Sequence, residues 1–221
     1  MKQYSSFDIL GPVMIGPSSS HTAGAARIGN VARKIYGGKI TTVRFYLHGS
    51  FAETYRGHGT DRALLAGILG MDPSDDRLKN SMDIARDKGI DFEFIPMAIE
   101  GAHPNTVLIE MDGENGEMRV MGSSVGGGSI VISRIDDFDL EFTGDYPTLI
   151  TSYTDRPGVI AGVTDIIRAN NVNIAFMKVF RKQRGQQATM IIELDGVLPP
   201  EAMGAIKKME GISRVMMIEP V

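Results

Sequence analysis

The sequence predicts an α+β chain in two domains. Three observations predict it. Apolar residues recur at helical spacing in some stretches and alternate with period two in others, in mixed order. An acidic stretch at 136–147, with a Gly and a Pro near its end, separates halves of net charge −6 and +2. The segment beyond it reads strand, helix, strand, strand, helix, strand. We therefore place the domains at 1–146 and 147–221.

Composition narrows the function. Of 221 residues, 43% are hydrophobic and 23% charged, ordinary for a globular protein with a sizeable core. A net charge of −4 argues against a nucleic-acid partner. The chain has no cysteine, so disulfides are excluded and no thiolate-ligated zinc or iron–sulfur site can be built from it alone. No apolar run approaches the ~18 residues of a membrane span. The N-terminal stretch lacks a basic segment followed by an apolar one, so no signal peptide is expected. The expected location is the cytoplasm, away from any membrane.

The first notable stretch is Gly16, Pro17, Ser18, Ser19, Ser20, His21 and Thr22. A helical stripe follows at Ala25, Ile28, Val31, Ala32 and Ile35. The hydroxyls thus sit at a helix start, where orphan N–H groups and the dipole favour an anion such as a carboxylate. An ordinary N-cap explains one Ser but not the whole run. Lys39–Leu47 reads as a strand. A polar turn at 55–61 leads into a helix carrying Ala63, Leu64, Leu65 and Ile68, with Thr60 or Asp61 as its cap. A helix is expected over 75–88 and a strand over 92–97. The strands 107–111 and 117–121 are joined at Asn115 and Gly116, a type I′ hairpin signal. A loop through Ser123, Ser124 and three glycines leads to a strand at 130–135.

Four histidines, His21, His48, His58 and His103, all fall in turn-like segments, where sites concentrate. A metal held by His21, His58 and His103 lacks the carboxylate spacing of known motifs. A Ser-His-Asp hydrolase lacks its nucleophile elbow. The second domain has strands at 149–153, 173–180, 188–194 and 212–218. Its helices begin after Pro157 and at Pro199–Glu201, and a basic turn covers 181–187. This βαββαβ order is that of a ferredoxin-like sandwich. Met216 and Met217 would suit an adaptable interface between copies.

Asp155, Arg156, Pro157, Gly158 and Val159, followed by Asn171 to Ile174, resemble an ACT domain, which often binds amino acids between paired copies. Where similar serine-binding ACT domains carry a His and an Asn, this chain has Tyr153 and Asp155. The resemblance makes Asp155, Arg156, Gly158 and Asn173 candidate ligand residues, and dimerisation an equal role. The first domain resembles the β subunit of iron–sulfur L-serine dehydratases. The residues concerned are 16–24, Gly49 to Phe51, Gly57 to Asp61, His103 to Thr106 and 122–128. That resemblance implies an allosteric-substrate-binding-like fold and conversion of L-serine to pyruvate and ammonia, in amino-acid catabolism. It also implies an α subunit whose cysteines hold a 4Fe-4S cluster, with no metal bound by this chain.

On that resemblance His58 is the expected base that removes the Cα proton, with His21 the alternative. Ser18, Ser19, Ser20 and Thr22 are expected to hold the carboxylate, and Thr60 and Asp61 to support the loop. His103, Asn105, Ser123 and Ser124 are expected to bind the amino group or line the pocket. The alternative reading is a non-catalytic amino-acid sensor that binds serine and dimerises through the ACT domain. Phosphoglycerate dehydrogenases resemble the chain in that use.

Overall fold

A computed structural model describes residues 14–181 and 183–221, so Lys182 of the basic turn lies outside the described residues. Two compact units divide between Asp137 and Phe138. The division precedes the one expected because the acidic stretch is not a linker. Phe138–Phe142 alternates in burial as a strand, β6. Glu141 pairs with Lys178 at 2.9 Å, and the Thr143 N–H donates to Glu193 at 3.3 Å, which ties this stretch to the second unit.

In the first unit the hydroxyl run is itself helical. Ser19–Gly24 forms a π-helix that continues directly into α1, Ala25–Tyr36. Gly37, at φ 69°, ends α1 as a left-handed cap. β1, Ile40–Leu47, leads to α2, Ser50–His58, and α3, Thr60–Ile68. The expected polar turn at 55–61 is therefore mostly helix, broken only at Gly59 with φ 73°. Neither Thr60 nor Asp61 caps α3: Gly59 holds the cap position without a side-chain bond.

The helix expected over 75–88 is two pieces, a 3₁₀ segment at Asp76–Asn80 and α4 at Ser81–Asp87. Asp75 caps the first piece by accepting from the Arg77 N–H at 2.9 Å. Buried Ser81 donates to the Arg62 carbonyl at 2.8 Å and anchors the break.

β2 (Asp91–Pro96), β3 (Thr106–Gly113), β4 (Met118–Gly126) and β5 (Ser129–Ile135) complete the unit. The strand order is β2-β1-β3-β4-β5. Only β1 and β2 are parallel among these pairs. Ser123 and Ser124, expected in a loop, lie inside β4, opposite Thr106 and Ile130. Asn115 and Gly116 do join a hairpin, but not through a type I′ turn. That turn needs positive φ at both central residues, and Asn115 does not have it. The turn closes from the Gly116 N–H to the Gly113 carbonyl at 3.1 Å. The Asn115 amide instead donates to the Tyr36 carbonyl at 2.7 Å, docking the hairpin on the end of α1.

α1 and α3 approach closely at Gly29 and Gly67. A Cβ on Gly29 would lie 2.3 Å from the Leu64 carbonyl oxygen, and one on Gly67 2.1 Å from that of Ala26. Around this contact Ile28, Val31, Leu64 and Leu65 are fully buried, as are the sheet residues Val43, Phe45, Ile109 and Val120. Each such side chain contributes roughly 1.5–3 kcal/mol of transfer free energy. This core carries the π-helix and the start of α3, the segments from which the candidate site is built.

The second unit is βαββαβ, as expected: β7 (Thr148–Thr154), α5 (Val159–Ala169), β8 (Ile174–Arg181), β9 (Gln187–Leu194), α6 (Pro200–Lys207) and β10 (Ile212–Ile218). The antiparallel order β10-β7-β9-β8 is the ferredoxin-like one. Val163, Ile167 and Ile206 pack on Leu149, Tyr153, Met190 and Ile192. Met217 is partly buried and packs against this core. Among the described residues no helix is long and apolar enough to cross a membrane.

Candidate functional site

The π-helix places His21 at the centre of the cluster. Ser18 is an N-cap in the expected sense: its hydroxyl accepts from the His21 N–H at 3.2 Å. The same oxygen lies 3.3 Å from His21 Nδ1. His21 Nε2 lies 3.0 Å from the Ser50 hydroxyl at the start of α2. Both ring nitrogens are therefore engaged, and the ring is buried, 8% exposed, edge-on to Phe51. Burial holds the His21 pKa below the usual histidine range. Repulsion from His58 lowers it further, and a hydrogen bond with Ser50 partly opposes both. His21 is thus poorly placed to serve as the base.

His58 is the last residue of α2 and is exposed. Its ring centroid lies 4.8 Å from that of His21, with the planes at 81°. Ser19 and Ser20 line the first turn of the π-helix, half-buried. Thr22 is different. Its hydroxyl is fully buried, has no partner among the described residues, and packs where a Cβ on Gly16 would fall, 2.4 Å away. Thr60 Oγ1 is likewise buried and unpartnered in the first turn of α3. Beside it Asp61 is buried, accepts from the Arg62 N–H at 2.8 Å, and has its pKa raised, chiefly by burial.

The loop before β3 joins this cluster through the backbone. The Phe51 N–H donates to the Pro104 carbonyl at 3.5 Å, and Gly49, at φ 54°, is packed against Pro104. Only a residue without Cβ fits there, since one would lie 2.6 Å from the Pro104 oxygen. His103 is exposed and its Nδ1 accepts from the Asn105 N–H at 3.2 Å. The Asn105 amide nitrogen reaches the Ser124 carbonyl at 3.5 Å. Ser123 shares a 2.7 Å hydrogen bond with Thr106. The Ser124 hydroxyl is buried and unpartnered, in the space a Cβ on Gly24 would need. Three buried hydroxyls without partners among the described residues, Thr22, Thr60 and Ser124, belong to the segments singled out in the sequence. Such atoms are uncommon in folded proteins.

His48, the fourth histidine, accepts from the Ile99 N–H at 3.0 Å and serves as a loop brace. Ser50 was not among the candidate residues. Its signal was present: a Gly-Ser pair directly after a strand, where a positive φ can turn the chain into a helix.

In the second unit the candidate ligand residues do not converge within one chain. Arg156 and Gly158 line one cavity with Glu210, while Asn173 lines another with Arg168 and Asn171. Asp155 is paired with Arg181 at 2.8 Å and also accepts from the Gly185 N–H, which holds its carboxyl below the usual range. Arg156 pairs with Glu210 at 2.6 Å, and Asn173 donates to Asp195 at 2.8 Å. Among the described residues no three His, Asp or Glu side chains gather in a metal-holding group.

Residues 5–88 match the family model of the serine dehydratase beta chain, and residues 148–211 that of the ACT domain. The chain is 44% identical over 218 residues to the probable L-serine dehydratase beta chain of Bacillus subtilis (strain 168), covering 99% of both chains. It is 40% identical over 221 residues to the L-serine dehydratase beta chain of Peptoniphilus asaccharolyticus, covering 99% of this chain and 100% of that one. A D-3-phosphoglycerate dehydrogenase of Methanocaldococcus jannaschii is 25% identical over 198 residues, which are 88% of this chain and 37% of that protein.

Proposed function

The chain belongs to the family of serine dehydratase beta chains, and on that premise we propose how it works within an L-serine ammonia-lyase. The overall reaction takes L-serine to pyruvate and ammonia. Loss of the Cα proton and of the hydroxyl, as water, gives aminoacrylate. Its imine tautomer then takes up water and releases ammonia.

His58 accepts the Cα proton. The observation that carries this assignment is the contrast within the histidine pair. His58 is exposed, while its neighbour His21 is buried with both nitrogens engaged. A base must reach its proton, and that contrast supports His58 over His21. Ser19 and Ser20, in the first turn of the π-helix, offer hydroxyls to the substrate carboxylate. The His103 to Asn105 loop and the β4 serines wall the amino-group side.

A cysteine-free chain does not fit a 4Fe-4S cluster. The proposal leaves that group to a cysteine-bearing alpha chain, the partner with which this chain forms a heteromer in the cytoplasm. The ACT unit pairs copies of the chain, or binds serine between them.

The test is anaerobic mixing of this chain with a cysteine-bearing L-serine dehydratase alpha chain. Pyruvate formed from L-serine by the mixture, and by neither chain alone, supports the proposal. Tight serine binding without turnover would overturn it in favour of an amino-acid sensor.

A further inference from the structure

We propose that His21, backed by Phe51, is the positioning residue for His58: its buried ring fixes the orientation of the base that takes the Cα proton. The inference rests on the lyase reading above.

Phe51 and His58 both lie on α2, seven residues apart. Seven residues are almost two full turns, so both side chains leave the same face of the helix, about 10.5 Å apart along its axis. The His21 ring, carried by the π-helix, fills that interval. Its centroid lies 5.3 Å from that of Phe51, with the planes at 68°, and 4.8 Å from that of His58, with the planes at 81°. Both contacts are edge to face, an arrangement that aromatic rings favour. The three rings stand in a row with His21 in the middle.

The row is anchored at one end and open at the other. Phe51 is fully buried. His21 is 8% exposed, and a hydroxyl meets each of its nitrogens, Ser18 Oγ at 3.3 Å and Ser50 Oγ at 3.0 Å. Those two contacts fix the plane of the ring whichever nitrogen carries the proton. His58 has no such support of its own. It is the last residue of α2 and is exposed, and among the described residues no hydrogen bond holds its ring. Gly57 and Gly59 flank it, and a Cβ on either would meet nothing within 4 Å. What gives His58 a direction is a neighbouring ring that cannot turn. A general base needs that direction, because it works when held within roughly 0.5 Å of its productive place. His21 therefore acts on the reaction through His58.

The experiment is a double-mutant cycle on the enzyme reconstituted from this chain and a cysteine-bearing L-serine dehydratase alpha chain. His21→Ala should lower kcat by about 100-fold where His58 is present, the loss that a misplacement of about 1 Å produces. In a His58→Asn background the same substitution should change kcat by no more than about twofold, because the residue it acts through is gone. Losses that multiply independently overturn the proposal, and so does an unchanged kcat in His21→Ala; both outcomes leave the lyase reading intact. Where His21→Ala does not fold, Phe51→Leu, which keeps a buried apolar side chain, is read in the same cycle against the same two outcomes. The chain alone supplies a second readout, a nuclear Overhauser contact between the ring protons of His21 and His58. Its absence overturns the positioning role whatever the activity. No pyruvate from the unsubstituted mixture overturns the lyase reading and this role together.

Discussion

His21 and His58 meet edge to face, with ring centroids 4.8 Å apart and planes at 81°. One ring is buried and hydrogen-bonded at both nitrogens; the other is open to solvent. Two identical side chains thereby acquire different chemistry from their surroundings alone. The buried ring holds the Ser18 and Ser50 hydroxyls at its two nitrogens.

This pairing has a titration signature. Burial is the main cause of the lowered His21 pKa and repulsion from His58 the second. Replacing His58 with Asn removes the second cause only. In NMR titrations the His21 midpoint should therefore rise in His58→Asn, yet stay below the ordinary histidine value of 6.5. A midpoint that falls or stays fixed would show that the two rings do not interact.

The same depressed pKa sets a stability trend. The unfolded chain protonates His21 at a higher pH than the folded chain, so it binds more protons in the window between the two midpoints. Stability of the first unit should therefore decrease as pH falls through about 6.5 toward the folded midpoint. Denaturant unfolding of the wild type and of His21→Gln, compared across that window, checks it. A His21→Gln variant as pH-sensitive as the wild type would sink the assignment.

His58→Asn should lower kcat of the reconstituted enzyme by about 100-fold or more, the size expected when a general base is lost. KM should move little if, as proposed, carboxylate binding belongs to hydroxyls elsewhere. Steady-state pyruvate release measures both, and near-normal kcat would return the base role to another group.

Asp61 is buried with its pKa raised chiefly by desolvation, so its charge costs stability near neutral pH. The sign follows from linkage. The folded state holds the proton more tightly, and stability falls as pH rises through the folded midpoint. Asp61→Asn should melt at a higher temperature than the wild type at pH 7, with the gap closing below 3.8. Loss of turnover alongside this gain would mark a site residue retained at the expense of stability.

Gly67→Ala tests the helix crossing. Alanine in a helix is favoured over glycine by about 1 kcal/mol. Here the added Cβ would lie 2.1 Å from the Ala26 carbonyl oxygen and 2.6 Å from the Asn30 nitrogen. Backbone cannot yield as a side-chain tip can, so overpacking of about 1–3 kcal/mol should win. A lower chemical-denaturation midpoint is expected; a higher one would mean that α1 and α3 are looser than they stand here.

The βαββαβ order of the second unit and the stripe of α1 were legible because burial leaves a period in the chain: Val159, Val163, Ile166 and Ile167 in one, Ile28, Val31 and Ile35 in the other. The candidate segments were legible as polar runs beside glycines. The break at Ser81, the strand at Phe138–Phe142 and the β4 location of Ser123 and Ser124 were not. Each depends on a partner distant in sequence. Ser81 is set by the Arg62 carbonyl, β6 by Lys178 and Glu193, and Ser123 by Thr106 and Val131.

By itself, the sequence determined the two-domain α+β plan, the absence of any thiolate ligand and the segments from which a site could be built. Those follow from composition and local periodicity, which need no knowledge of what touches what. Tertiary structure alone decided which histidine is buried, that Ser50 belongs beside it, and that Thr22 and Ser124 are sealed under Gly16 and Gly24. The reason is physical. A side chain's charge state and free hydrogen-bonding capacity depend on neighbours within a few ångströms, and packing brings those neighbours from 29 residues away for His21 and Ser50.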